Sequence, residues 1–152
     1  MRNNLFFVET LRATTITAEQ EALEDVNSLR KLLNPQAATI RIREFRAVVH
    51  APLGGLVVAR HTKTLRLIGM ATLVVYQKLE ARVGVVESVV VKPEHRGNGI
   101  GRALMKEVLR SARGAGLDHL NLTSSPERVE AIALYESLGF KKRDTYCFRL
   151  KL

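Results

Sequence analysis

Val89-Val90-Val91-Lys92-Pro93-Glu94-His95-Arg96-Gly97-Asn98-Gly99-Ile100-Gly101-Arg102-Ala103-Leu104-Met105 reads as a valine strand, a basic glycine loop and the start of an amphipathic helix. A helix leaves its first NH groups without intrahelical partners and carries partial positive charge at that end, so this order aims backbone donors at an anion. Gly97, Gly99 and Gly101 let the backbone come close and adopt the positive φ that an anion nest needs, while Arg96 and Arg102 add full charges. Ile100, Leu104, Val108 and Ala112 recur at helical spacing until Gly114 and Gly116 stop the pattern.

Other phosphate loops fit less well. A P-loop ends in Gly-Lys-Ser/Thr, and Gly101-Arg102-Ala103 lacks both the lysine and the magnesium-binding hydroxyl. A dinucleotide fingerprint needs a third glycine where this chain has Arg102.

Arg96-Gly97-Asn98-Gly99-Ile100-Gly101 resembles the acetyl-CoA loop of the GNAT superfamily of N-acetyltransferases, Arg/Gln-x-x-Gly-x-Gly/Ala. Downstream, Ala131-Ile132-Ala133-Leu134-Tyr135-Glu136-Ser137-Leu138-Gly139-Phe140 is similar to the helix of that family ending in Leu-Tyr-x-x-x-Gly-Phe. The resemblance covers residues 55 to 150 well, and residues 1 to 54 only in their order of elements.

Length and composition set the frame. A chain of 152 residues suits one domain, here an N-acetyltransferase domain over 1–152, with no repeat, linker or low-complexity tract. No apolar run reaches the length of a membrane span, and Glu9 interrupts Leu5-Phe6-Phe7-Val8 too soon for a signal peptide, so a cytoplasmic location is expected. The net charge of +9 is spread over several segments without interleaved exposed aromatics, which argues against nucleic acid as the main partner. Cys147, the single cysteine, reads as a packing residue, and no histidine stands at metal spacing from a second ligand type, so no metal site is expected.

Periodicity gives the elements. Leu5 to Leu11 reads as a strand; Thr17 with Gln20 forms a capping box for a helix whose Ala22, Val26, Leu29 and Leu33 share one face up to Asn34-Pro35. A second helix is expected from Arg41 to His50. Strands follow at Leu56–Arg60, Arg66–Tyr76 and Arg82–Val91, with Gly69 and Gly84 suggesting bulges or bends. After the loop helix come a strand at Leu117–Thr123, a turn at Ser124-Ser125-Pro126, a helix stopped by Gly139, and strands at Lys141–Asp144 and Tyr146–Leu150. The resemblance implies the same α/β (α+β) order, β-α-α-β-β-β-α-β-α-β-β, with a mixed, mostly antiparallel central sheet and flanking helices.

The resemblance also implies roles. The strand ending at Val91 and the one starting at Leu117 would splay apart, and the pantetheine arm of acetyl-CoA would pair with the backbone of Val89, Val90 and Val91. Gly97, Asn98, Gly99, Ile100 and Gly101, with Arg96 and Arg102, would hold the diphosphate. Glu87, an acid inside an apolar strand, is the candidate base or amine anchor, and Tyr135 the candidate acid for the departing thiolate. Many members carry asparagine where this chain has Arg128, which reads either as a phosphate contact or as a solvated charge. The acceptor is expected to be a small-molecule or peptide amine, and an exposed terminal strand would suit a homodimer. The other class open to such a chain is a non-catalytic module that binds CoA or an acidic partner.

Overall fold

A computed structural model describes residues 5–12 and 15–152. Five strands form one sheet in the order β1 (Phe6–Thr10), β2 (Gly54–His61), β3 (Leu67–Gln77), β4 (Arg82–Val91) and β5 (His119–Leu122). The first four pair antiparallel, and β4 pairs parallel with β5.

Alternation along the strands divides the core between two faces, because successive side chains point to opposite sides of a sheet. Leu56 and Val58 bury themselves with Ala22, Val26 and Leu29 of α1 (Ile16–Leu33) and with Phe45 and Val49 of α2 (Ile42–Val49). Val57 and Ala59 face Leu104, Met105 and Val108 of α3 (Ile100–Gly114), and Tyr135 of α4 (Val129–Ser137) joins that side. The helical stripe read from Ile100 to Ala112 is therefore the buried face of α3.

Several boundaries differ from the sequence expectation. The cap of α1 is Thr15, whose Oγ1 accepts from the Ala18 NH at 3.2 Å, so the helix starts ahead of Thr17 and no Thr17–Gln20 box forms. Gly84 sits in regular pairing; a Cβ there would collide with Leu117 and Leu120, so its role is close packing and not a bend. Gly69 does adjoin a register shift, between Ala59 and Arg60 on the facing strand.

The two closing strands do not form. Residues 140–152 carry no strand, and Tyr146 and Phe148 are 88% and 89% exposed. Lys141, Lys142, Arg143 and Asp144 offer no apolar face to hold a first strand against the sheet, which leaves the second without a neighbour. Cys147 is consequently exposed and free, not a packing residue.

Buried carboxylates tie the helices down. Glu19 of α1, 6% exposed, accepts from Arg46 Nε and Nη2 at 2.9 and 2.6 Å and lies 3.1 Å from His50 Nε2, clasping α1 to α2. Hydrogen bonds from Arg46 and then His50 hold its carboxyl below the ordinary value of 4.5, against the opposing push of burial. A depressed folded-state value means stabilisation that is present above the unfolded value and lost as pH falls through the folded one. Glu19→Gln is therefore expected to lower Tm at pH 7, with the gap to the parent protein narrowing below about pH 4.5 in thermal melts across that range.

Candidate active site

The geometry of β4 builds the site. Met70 pairs with Val90 and Thr72 with Glu87, so Ala71 alone faces both Ser88 and Val89, a bulge. Ser88 takes φ of 54°, a left-handed conformation that a side chain adopts at a cost of roughly 1–2 kcal/mol. The bulge flips the phase of the strand: Val86 packs on the α3 side, whereas beyond it Val90 packs on the α1 side and Val89 and Val91 turn to the α3 side.

β5 pairs only with Val83–Val86. Among the described residues no strand lies beside the outer edge of β4 from Glu87 to Val91, and the two parallel strands part there like a fork. Glu87 is the first residue past the crotch, exposed, with Thr72 as its partner on β3. Val89, Val90 and Val91 line the cleft inside the fork, which encloses about 660 Å3, within the usual range for small-molecule sites.

The glycine loop closes one end of that cleft. A single 3-10 turn over Pro93–His95 leads to Gly97 and Gly99, whose φ values of 76° and 78° are left-handed, and Gly99 caps α3. The first backbone donor of α3 to find an acceptor is Ala103, bonded to the Gly99 carbonyl at 3.0 Å. Among the described residues the NH groups from Gly97 to Arg102 have no protein acceptor, and the first turn of α3 contains no acid to compete for an anion. Among the described residues no atom lies within 4 Å of the place a Cβ would take on Gly97 or Gly99, so the space above these amides is open. Gly101 is different: a Cβ there would stand 3.3 Å from Leu134, so its smallness serves the α3–α4 contact.

The charged residues are anchored. Arg96 Nε donates to the Val91 carbonyl at 3.2 Å, and Arg102 Nη2 donates to Ser137 Oγ at 2.9 Å. Asn98 is turned away from the cleft; its amide donates to the carbonyls of His95 and Arg96 and braces the loop, leaving only its backbone NH for a ligand.

Tyr135 forms the far wall. It is 9% exposed, and its ring packs edge-on to Phe140 with centroids 6.0 Å apart. Its hydroxyl has no protein partner among the described residues, yet no buried side-chain oxygen is left unbonded, so the hydroxyl is reached by solvent; Tyr135 borders both this cleft and a second cavity beside β5. Burial pushes the phenol above its ordinary value of 10.0, opposed by the charge of Arg128, so the group is a protonated donor at neutral pH.

The structure thus gathers Val89 to Val91, Arg96, Gly97, Gly99, Ile100, Gly101, Arg102 and Tyr135 around one cleft. Glu87 does not line it and stands on the opposite face of the sheet from Val86, at the fork. Leu32 and Leu33, at the end of α1, also line the cleft. Nothing local in the sequence marks them, since they read simply as the last turn of an amphipathic helix. Arg128, the N-cap of α4, lines the mouth near Tyr135.

The cleft fits an acyl-CoA by its own features. The row of free NH groups and two arginines suits a diphosphate, and the bare edge of β4 suits an amide-bearing arm that can pair as a strand does.

Comparison with known proteins follows the same line. The sequence model of the acetyltransferase (GNAT) family matches residues 20–140. The glucosamine 6-phosphate N-acetyltransferase of Trypanosoma brucei brucei is 34% identical over 87 residues, 55% of this chain and 57% of that protein. Human N-acetyltransferase 8B is 48% identical over 52 residues, 34% of this chain and 23% of that one. The matched stretches therefore span about a quarter to just over half of these two relatives. Among solved structures, a Trypanosoma brucei acetyltransferase superposes with a TM-score of 0.76 at 26% identity, covering 97% of this chain and 99% of that one. The aminoglycoside N-acetyltransferase AAC(6')-Iy in complex with CoA superposes at 0.75 with 21% identity, covering 96% and 94%, and shares the fold. Among the described residues no helix is long and apolar enough to cross a membrane.

Proposed function

The chain belongs to the acetyltransferase (GNAT) family, and from that membership we propose that it transfers an acetyl group from acetyl-CoA directly to a primary amine. The observation that carries this reading is the meeting, in one cleft, of the unpaired NH groups of Gly97 to Arg102, the bare edge of Val89 to Val91 and the side chain of Tyr135. Acetyl-CoA, when bound, supplies a thioester carbonyl open to attack.

The residues of the chain do the rest. The amides of Gly97 to Arg102, with Arg96 and Arg102, hold the diphosphate, and backbone groups of Val89 to Val91 align the arm so that the carbonyl lies near the fork. A backbone NH of that segment polarises the carbonyl oxygen. Glu87, at the crotch of the fork, anchors the incoming ammonium or takes its proton, directly or through water, since a free alkylamine is almost wholly charged at neutral pH. As the C–N bond forms and the C–S bond breaks, the nitrogen releases its second proton to solvent, while Tyr135 gives its own proton to the departing sulfur and regains one from solvent.

A small amine is the favoured acceptor, on the strength of the names of two matched proteins, one for glucosamine 6-phosphate and one for aminoglycosides. The open outer edge of β5 and the exposed Tyr146 and Phe148 support assembly of two copies, which light scattering would detect as a doubled mass.

Release of free thiol from acetyl-CoA across a panel of small amines and peptides tests the reaction. One or more amines should accelerate thiol release well above background; CoA binding without turnover on any amine would make the chain a binding module. With an active amine in hand, Glu87→Gln is expected to lower kcat/KM for the acceptor by roughly 10²-fold while the affinity for CoA stays unchanged.

A further inference from the structure

We propose that Arg128 is a positioning residue for Tyr135, its guanidinium stabilising the negative charge left on the phenol oxygen when Tyr135 donates its proton. The purpose of that pairing rests on the acetyl-transfer reading; the pairing itself does not.

Arg128 caps α4 and Tyr135 lies seven residues on, about two turns into the helix, and both border the cleft on that helix's cleft-facing side. Ala131, the residue between them on that side, is too short to block the lane. Side chains on a helix lean toward its N-terminus, which carries the Tyr135 ring toward Arg128. The backbone of Arg128 is fixed at both ends: its NH donates to the Ser125 carbonyl at 3.0 Å and its carbonyl accepts from the Ile132 NH at 3.0 Å. Both side chains line the same cleft.

Other charges surround the phenol. Arg96 and Arg102 come from the glycine loop and α3, Glu127 and Glu130 from the start of α4, and His119 and Lys141 lie across a second cavity that Tyr135 also borders. The charge of Arg128 favours the ionised phenol, in opposition to the burial that raises its pKa. Among the described residues Arg128 forms no ion pair within 4.0 Å, so its charge is not already neutralised.

The amine nitrogen bonds to the acyl carbon and releases one proton to solvent, and the C–S pair of electrons goes to sulfur. The proton of Tyr135 then moves to that sulfur, and the phenolate accepts a proton from solvent. Burial raises the energy of that phenolate, and a nearby cation lowers it.

The test replaces Tyr135 by 3-fluorotyrosine, which brings the titration into an accessible range, and follows its 19F resonance against pH in the full chain without CoA. Arg128→Gln is expected to raise the midpoint by roughly half a unit or more, and Arg128→Lys, which keeps the charge, to leave it close to that of the parent. In turnover with unmodified Tyr135, Arg128→Gln should lower kcat about tenfold with KM for acetyl-CoA changed less than about twofold. An unmoved midpoint in Arg128→Gln, or an equal rise in Arg128→Lys, would overturn the proposal. So would a raised KM with intact kcat, which would assign Arg128 to an anionic part of acetyl-CoA. If no amine supports turnover, the resonance still reports the pairing, so loss of the acetyl-transfer reading and loss of this one are told apart.

Discussion

Replacing Tyr135 by phenylalanine is expected to lower turnover about 10²-fold or more while KM for acetyl-CoA changes little. The substitution is a clean one in this fold. The ring's edge-on contact with Phe140 and its place in the core beside α3 remain, and the lost hydroxyl makes no hydrogen bond to the protein among the described residues. Tm should therefore hold while kcat falls, a split that a purely packing role could not produce. Steady-state kinetics with any amine that releases thiol, together with a melt of each protein, makes the comparison. Unchanged turnover would remove Tyr135 as the acid.

Replacing Gly99 by valine is expected to act on binding instead. Gly99 caps α3 with φ of 78°, and a side chain there pays roughly 1–2 kcal/mol for the left-handed conformation, more when β-branched. Its Cβ would meet no neighbour within 4 Å, so the damage does not come from a clash; the added carbons enter the open space over the amides from Gly97 to Arg102. CoA should bind at least about tenfold more weakly by isothermal titration, since both the loop geometry and access to its NH groups are spent. Gly101→Val makes the contrasting control. Its φ is not left-handed and its Cβ would press on Leu134 at 3.3 Å, so it should disturb the α3–α4 contact and lower Tm.

The parts of the molecule that were readable from sequence are those decided by local chemistry. Gly97 and Gly99 announce positive φ, and the stripe from Ile100 to Ala112 announces a buried helix face, because each signal lies within a turn or two of the structure it causes. Tyr135, singled out by the resemblance of its helix to that of the family, and Arg102, beside the glycine loop, both line the cleft. The unread parts depend on distant pairing. Ser88 carries no mark of a left-handed residue; the bulge arises from the register in which β3 meets β4, and it is this bulge that turns Val89 and Val91 toward the α3 side. Leu32 and Leu33 reach the cleft only because α1 crosses the sheet there.

The C-terminal segment shows the converse. Tyr146, Phe148 and Leu150 alternate as a strand would, yet alternation states which face would be buried and says nothing of a partner within reach, and all three side chains are exposed. Likewise Gly84, whose absence of a side chain suggested a bend, answers to the packing of Leu117 and Leu120 from a strand far along the chain.

The proposed reaction requires that backbone amides at the fork and the glycine loop receive CoA. Titrating CoA into 15N-labelled protein and following each amide by two-dimensional NMR tests it residue by residue. The amide resonances of Gly97 to Arg102 and of Val89 to Val91 should shift most and saturate together at one equivalent. Shifts confined to other surfaces, or none at all, would contradict it.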